Sequence, residues 1–239
     1  MVPLPSVGRR YVQHRRVGLG DVDPTGRLRL DAVVGYLQDI ATADAHDAEI
    51  GDVYAWIVRR TSIRLADGAR WPAVGEHLDI TTFCGGFASR WAERRTSVSG
   101  PGGSVEGASI WVAIDVSGRP QRLPVRFHEV FAEAAGGREV SARLKHDDMP
   151  STALSRPWAL RRTDLDTLGH VNNAAHWQTV EEALEGRAPR AATVEFRAAL
   201  EWPGPAELLV DDSCADNGLL RTWLCAQQTV RSSAVVHLL

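Results

Sequence analysis

The chain has 239 residues, of which 44% are hydrophobic and 24% charged, and a net charge of −3 at neutral pH. That balance fits one large globular domain or two small ones and excludes a disordered chain, a collagen and a disulfide scaffold. The slight negative charge argues against a dedicated nucleic-acid binder, and no uncharged apolar run reaches the ~18–20 residues of a membrane span.

The N-terminal stretch MVPLPSVGRRYVQHRR lacks the apolar core of a secretory signal, so the expected location is cytoplasmic. Tyr11 to Leu19 reads as a short strand. From Leu30 the apolar positions Leu30, Val33, Val34, Leu37 and Ala41 follow helical spacing. Four strand-like stretches follow, at 55–65, 77–83, 90–98 and 105–115. The last two flank Gly100-Pro101-Gly102-Gly103, a hairpin turn signal. Residues 131–151 mix glycine, proline and charge without an apolar period, which predicts a linker between units at 9–130 and 152–239. Beyond it come a strand from Trp158 to Arg162 and a helix carrying Ala174, Trp177, Val180 and Leu184, capped by Asn172 or Asn173. Strands near 193–198, 207–210 and 219–225 follow, with Asn217-Gly218 turning into the third, and an apolar stretch from Ala234 ends the chain.

The two halves repeat. Asp21 to Asp39 reads DVDPTGRLRLDAVVGYLQD, and Asp164 to Glu182 reads DLDTLGHVNNAAHWQTVEE. At a constant offset of 143, Asp21 meets Asp164, Asp23 meets Asp166 and Gly26 meets Gly169. Downstream, Trp71-Pro72 matches Trp202-Pro203 at an offset of 131, so the second copy is 12 residues shorter, the missing stretch lying around AEIGDVYAW. A duplicated unit of one helix and an antiparallel meander is physically coherent. Such a sheet must bury one face, and a single helix can lie along it. The fold class predicted is α+β. Pairing between units would protect sheet edges, and crevices between copies are natural ligand sites.

At the D-x-D-x-x-G blocks the chain resembles the hotdog-fold thioesterases, and within them the acyl-acyl-carrier-protein thioesterases of plants and bacteria, which are tandem (double) hotdogs. RTDLDTLGHVNN resembles their D-L-D-x-N-x-H-V-N-N signature. VVGYLQDIATADA resembles their long first helix, WIVRRTSIRLADGARWPAVGEHLDITT the strand and turn after it, and DVSGRPQRLP the stretch closing the first unit. The resemblance covers roughly residues 10 to 230.

It implies hydrolysis of fatty acyl thioesters to free fatty acid and holo carrier protein. It implies catalysis in the second unit, with the family's Asp on Asp166 and its His on His170. The family Asn falls on Leu168 and the family Glu near Ala199, with Glu201 two residues further on. DVDPTG also resembles the D-x-D-P-x-G of 4-hydroxybenzoyl-CoA thioesterases, whose catalytic Asp falls on Asp23, while the His position there is Arg27. A carboxylate can serve as general base or as nucleophile on the thioester. Backbone N–H groups of Val171, Asn172 and Asn173, at the helix start, are the expected oxyanion donors.

The implied partner is an acyl-carrier protein bearing an acyl phosphopantetheine. Arg-Arg pairs at 9–10, 15–16, 59–60, 94–95 and 161–162 are candidates for docking its acidic surface. No nucleic-acid partner is implied, and a homodimer is compatible with the pattern. Cys84, Cys214 and Cys225 are widely spaced without a CxxC pair and read as small apolar residues. With no ligand cluster and no dinucleotide fingerprint, no metal and no cofactor is expected. Alternative readings are an acyl-CoA thioesterase and a catalytically silent acyl-thioester-binding protein, the latter motivated by the missing Asn and Glu.

Overall fold

The computed structural model describes residues 2–50 and 55–239. Residues 51–54, in the middle of the stretch missing from the second copy, lie outside the described residues. The chain divides into two compact units, one of Met1–Arg29 with Gly35–Arg143 and one of Leu30–Val34 with Leu144–Leu239. Among the described residues, no helix is long and apolar enough to cross a membrane.

The first unit contains β1 (Tyr11–Arg16), most of α1 (Leu30–Asp47), β2 (Ala55–Leu65), β3 (His77–Phe87), β4 (Trp91–Ser99), β5 (Ser104–Ile114) and α2 (Val125–Ala135). Its sheet runs β1-β3-β4-β5-β2, every pair antiparallel. The Gly100–Gly103 turn closes the β4–β5 hairpin with Ser99 opposite Ser104. α1 lies so close to β5 that a Cβ on Gly107 would sit 2.7 Å from a Leu37 methyl, which is why glycine occupies that point of the strand.

α2 corrects the predicted linker, which was drawn from 131. Phe127, Phe131, Ala134 and Ala135 form a buried stripe at helical spacing. Phe131 is fully buried and stacks on Phe127 with centroids 4.9 Å apart. Gly136, at φ 55°, ends the helix by donating to the carbonyls of Ala132 and Glu133. The boundary drawn at 130 cut this helix in two, and the first unit runs on to Arg143.

The second unit contains β6 (Leu154–Trp158), α3 (Asn173–Leu184), β7 (Pro189–Phe196), β8 (Ala206–Asp211), β9 (Leu219–Ala226) and β10 (Thr229–Leu238). Its sheet runs β7-β10-β9-β8-β6, again antiparallel throughout, which is the first unit's order repeated. The strand expected at Trp158–Arg162 lies earlier and ends at Trp158. Arg161 donates its N–H and guanidinium to the Asp164 carboxylate, and that folds the chain into a one-turn 3-10 helix.

The register corrects one of the two sequence matches. Arg15 pairs with Leu78 and Trp158 with Ala206. Leu28 N–H donates to the Pro72 carbonyl, and Val171 N–H to the Leu200 carbonyl. Pro72 therefore corresponds to Leu200, and the two Trp-Pro pairs lie three residues out of structural register. The helix match holds: α1 and α3 begin at Leu30 and Asn173, at the offset of 143. With the register so placed the second copy is 15 residues shorter rather than 12, and because α1 has 18 residues and α3 has 12, six of those 15 are helix.

Candidate active site

Each D-x-D block is a tight loop just ahead of a helix. In the first unit Asp23 Oδ1 accepts from the N–H groups of Thr25 (2.9 Å) and Arg27 (3.0 Å) and from the Thr25 hydroxyl (2.6 Å). Asp23 N–H donates to the Arg27 carbonyl, and Gly26 N–H to the Asp23 carbonyl. Gly26 sits at φ 86°, a conformation that glycine adopts without strain. The other carboxylate oxygen, Oδ2, is bound by Arg27 Nε at 2.8 Å. Burial would raise the Asp23 pKa, but the Thr25 hydroxyl and the N–H and charge of Arg27 outweigh it and hold the carboxyl below its usual range.

The second unit builds the same loop. Asp166 Oδ1 accepts from the N–H groups of Leu168 (2.9 Å) and His170 (3.0 Å). Asp166 N–H donates to the His170 carbonyl at 2.8 Å, and Gly169, at φ 79°, donates to the Asp166 carbonyl at 3.1 Å. Leu168 adds no hydroxyl, and its side chain is 66% exposed. Among the described residues, nothing bonds Asp166 Oδ2 or the His170 imidazole.

Sequence reading missed a third copy of this loop, and the signal DVSGR was in plain view. Asp115 Oδ1 accepts from Ser117 N–H (2.8 Å), the Ser117 hydroxyl (2.6 Å) and Arg119 N–H (3.0 Å), with Gly118 at φ 77°. This copy follows β5 directly, and the next helix, α2, starts six residues after Arg119. Folding the turn therefore accounts for one carboxylate oxygen in all three loops, and any chemistry must use the other oxygen. By that measure Asp23 and Asp166 differ sharply, because Arg27 occupies the second oxygen of Asp23.

The expected oxyanion donors are corrected in part. Val171 N–H donates to the Leu200 carbonyl (2.8 Å) and Asn172 N–H to the Asp164 carbonyl (2.7 Å), so neither is available to a substrate. Asn172 is the helix cap, its Oδ1 accepting from Ala174 N–H. That leaves Asn173 N–H, at the first position of α3 and on its positive end, without an acceptor among the described residues. The same register brings Glu201 in. His170 and Glu201 form an antiparallel bridge, and directly opposed residues carry their side chains on one face, with Cβ atoms about 4.5–5.5 Å apart. No register shift is needed to put a carboxylate beside His170.

The outer acids of the two loops, Asp21 and Asp164, are structural. Asp21 Oδ2 accepts from the Tyr36 hydroxyl at 2.6 Å and from Gly18 N–H. Asp164 is held by Arg161. The cysteine reading stands on physical grounds for Cys84, whose thiol is pushed up to about 11 by burial and is therefore no ready nucleophile. Most of the arginine pairs are engaged within the fold. Arg9 and Arg94 clamp the buried Asp44, Arg15 pairs with Asp39, and Arg95 pairs with Glu93.

The first unit also holds an apolar cavity of about 250 Å³ between the C-terminal half of α1, the sheet and α2. Ala41, Ala45, Trp56, Ala92, Phe127 and Phe131 line it, with Arg94 and Glu93 among its polar walls. Its walls suit an alkyl chain.

The family model for the acyl-ACP thioesterase N-terminal domain matches residues 8–131, and that for the C-terminal domain matches residues 148–203. An uncharacterized protein of Mycobacterium tuberculosis is 30% identical over 213 residues, covering 86% of this chain and 81% of that one. Among solved structures, the 12:0-ACP thioesterase from Umbellularia californica superposes with a TM-score of 0.79 at 17% identity, covering 96% of this chain and 97% of that one. An acyl-ACP thioesterase from Bacteroides thetaiotaomicron superposes with a TM-score of 0.75 at 17% identity, covering 96% of this chain and 98% of that one. The α+β fold of tandem hotdog units is thus the fold of these proteins.

Proposed function

Because the chain belongs to the acyl-ACP thioesterase family, a family of thioester hydrolases, we propose that the loop of its second unit is the catalytic centre, with Asp166 as general base, His170 as proton donor and Glu201 as the carboxylate that orients His170. The substrate in this reading is a fatty acyl chain on the phosphopantetheine of an acyl-carrier protein.

Asp166 Oδ2 takes a proton from water as the water oxygen attacks the thioester carbonyl carbon. The oxyanion of the tetrahedral intermediate faces Asn173 N–H at the positive end of α3. Collapse breaks the C–S bond and leaves the carboxylic acid and a thiolate. The His170 imidazolium protonates the thiolate, and the proton held by Asp166 passes to His170 to restore the starting state. Two backbone N–H groups on Oδ1 fix the carboxylate in place, a role that the family's Asn, absent at Leu168, does not need to fill here.

The observation that carries this reading is the different fate of the second carboxylate oxygen: held by Arg27 in Asp23, open in Asp166. The test is release of free acid from a panel of acyl-carrier-protein thioesters of graded chain length, with matched acyl-CoA thioesters beside them. Turnover on carrier-protein substrates supports the reading, turnover on CoA alone moves the partner, and stoichiometric binding without release sinks hydrolysis.

A further inference from the structure

The two copies of the loop match bond for bond as far as the helix. Leu28 N–H and Val171 N–H donate to the carbonyls of Pro72 and Leu200, and Arg29 N–H and Asn172 N–H to those of Asp21 and Asp164. The next donors in order are Leu30 N–H and Asn173 N–H, on the first residues of α1 and α3. There the copies part. Asn173 N–H has no acceptor among the described residues, whereas Leu30 N–H donates to Glu181 Oε1 at 2.5 Å. Glu181 comes from α3, and it and Leu30 both belong to the second unit.

This bond meets a need of α1. Arg29, at its cap position, makes no side-chain capping bond, whereas Asn172 caps α3. Leu30 is fully buried, so its N–H cannot turn to water, and an unpaired buried donor is costly. A neutral Ser, Thr or Asn cap is the common local answer. What stands there instead is a carboxylate brought in from another helix, and negative charge is what the positive end of a helix favours. By the match of the two copies, Glu181 Oε1 lies on the donor that would receive a thioester oxyanion if the first copy were catalytic.

We propose that the start of α1 is an anion position, equivalent to the one at Asn173, and that Glu181 fills it, so that the protein's own carboxylate closes the first copy of the site. The ligand class is a carboxylate or a comparable oxyanion. The inference rests on the reading of Asn173 N–H as oxyanion donor for its comparison between copies. It adds a second closure to the first: Arg27 holds the oxygen of Asp23 that would act as base, and Glu181 holds the donor. Removing Arg27 alone would therefore not open the first copy.

The test is solution NMR of the full chain with nitrogen-15 in its leucine amides. The Leu30 signal is assigned by its loss in Leu30→Met, a volume-conserving change. Sodium acetate is titrated at constant ionic strength, with chloride as the control anion. Expected is a Leu30 signal indifferent to acetate in the parent chain and in Glu181→Gln, which keeps an acceptor in place. In Glu181→Ala the signal should shift saturably with acetate, which replaces the missing carboxylate, and respond at least tenfold more weakly to chloride. If Glu181→Ala unfolds, recovery of the fold in acetate but not in chloride supports the proposal, and no recovery refutes it. Glu181→Gln should keep kcat within threefold of the parent. The proposal is overturned by a Leu30 signal in Glu181→Ala that ignores acetate or follows chloride equally, or by a parent signal that moves as the variant's does. A loss of turnover in Glu181→Gln as deep as in Asp166→Asn also overturns it, by making Glu181 a working acid. Because the Leu30 signal needs no turnover, a parent that hydrolyses nothing sinks the catalytic assignment while the Leu30 shift still decides this one.

Discussion

Asp23, Asp115 and Asp166 each commit one oxygen to the same turn, so the difference between a turn residue and a catalyst rests on a single remaining atom. Asp115 has only turn partners: the Ser117 hydroxyl, with the Arg119 and Ser117 N–H groups, holds it below the usual carboxylate range. Asp23 adds a guanidinium, which keeps a carboxylate ionised but is itself too basic to move a proton near neutral pH. Asp166→Asn should therefore lower kcat by at least ~100-fold, the lower end of general-base effects. Asp23→Asn should cost far less, and Asp115→Asn should leave turnover unchanged. Single-turnover hydrolysis by the three variants, with circular dichroism to confirm folding, is the measurement. An inactive Asp23→Asn beside a working Asp166→Asn would move the chemistry to the first unit. A second residue-scale effect concerns stability. His176 is buried on α3, with Nδ1 2.8 Å from Ser232 Oγ, and burial pushes its imidazole down to about 4. The unfolded chain binds this proton near pH 6.5 and the folded chain only near 4. The folded state thus loses stability as pH falls through that window, by on the order of 3 kcal/mol. His176→Gln, which cannot titrate, should flatten the fall in urea midpoint between pH 7 and pH 5. An equally steep fall in the variant would assign it to other groups.

At the scale of elements, the parts legible in the sequence were those whose signal is local. The D-x-x-G turn, the helix starts and the Gly100–Gly103 hairpin are each fixed by a few adjacent residues, and each formed where it was expected. The early end of β6 was local too, Arg161 reaching Asp164 three residues on, but no apolar period announces such a turn. The register, by contrast, is set by partners far along the chain. The Trp-Pro similarity survived as letters while the register, set by hydrogen bonds to Leu28 and Val171, moved by three residues. That same register, invisible in the sequence, is what sets Glu201 beside His170. α2 was readable in principle: its Phe127–Phe131 stripe was there, but the glycines and charges after it dominated the window. Since Phe131 is fully buried and packs on Phe127 in the core of the first unit, α2 is part of the fold and not a tether. Phe131→Ala should destabilise the protein by about 3–5 kcal/mol, the range for removing a buried aromatic ring. A Val125–Ala135 segment that only linked the units would tolerate the change with little shift in denaturation midpoint.

At the scale of the whole molecule, the question is how a chain of net charge −3 meets an acidic carrier protein. The answer must lie in the arginines that the fold does not consume. Five Arg-Arg pairs were candidates, and their members divide. Arg9, Arg94 and Arg95 are tied to acids in largely buried pairs, and Arg161 to Asp164 and Gln178. Arg60 donates to the carbonyls of Ser141 and Arg143. Arg10, Arg16 and Arg162 are exposed and form no ion pair with an acid among the described residues, with Arg162 5.7 Å from the Trp202 ring. Exposed charges of this kind act through water, and their attraction is screened over about 8 Å at physiological salt. They raise encounter rates more than they deepen affinity, and the effect falls with ionic strength. Coenzyme A carries its charge on a small molecule that brings no protein surface to meet several arginines together. Raising salt from 50 to 500 mM should therefore lower kcat/KM for an acyl-carrier-protein substrate by a larger factor than for the matched acyl-CoA. Arg10→Gln, Arg16→Gln and Arg162→Gln combined should remove most of that excess while leaving turnover on acyl-CoA in place. Steady-state kinetics across the salt series decides it. Equal salt dependence for the two substrates, or an excess untouched by the triple variant, would show that these arginines do not guide the carrier.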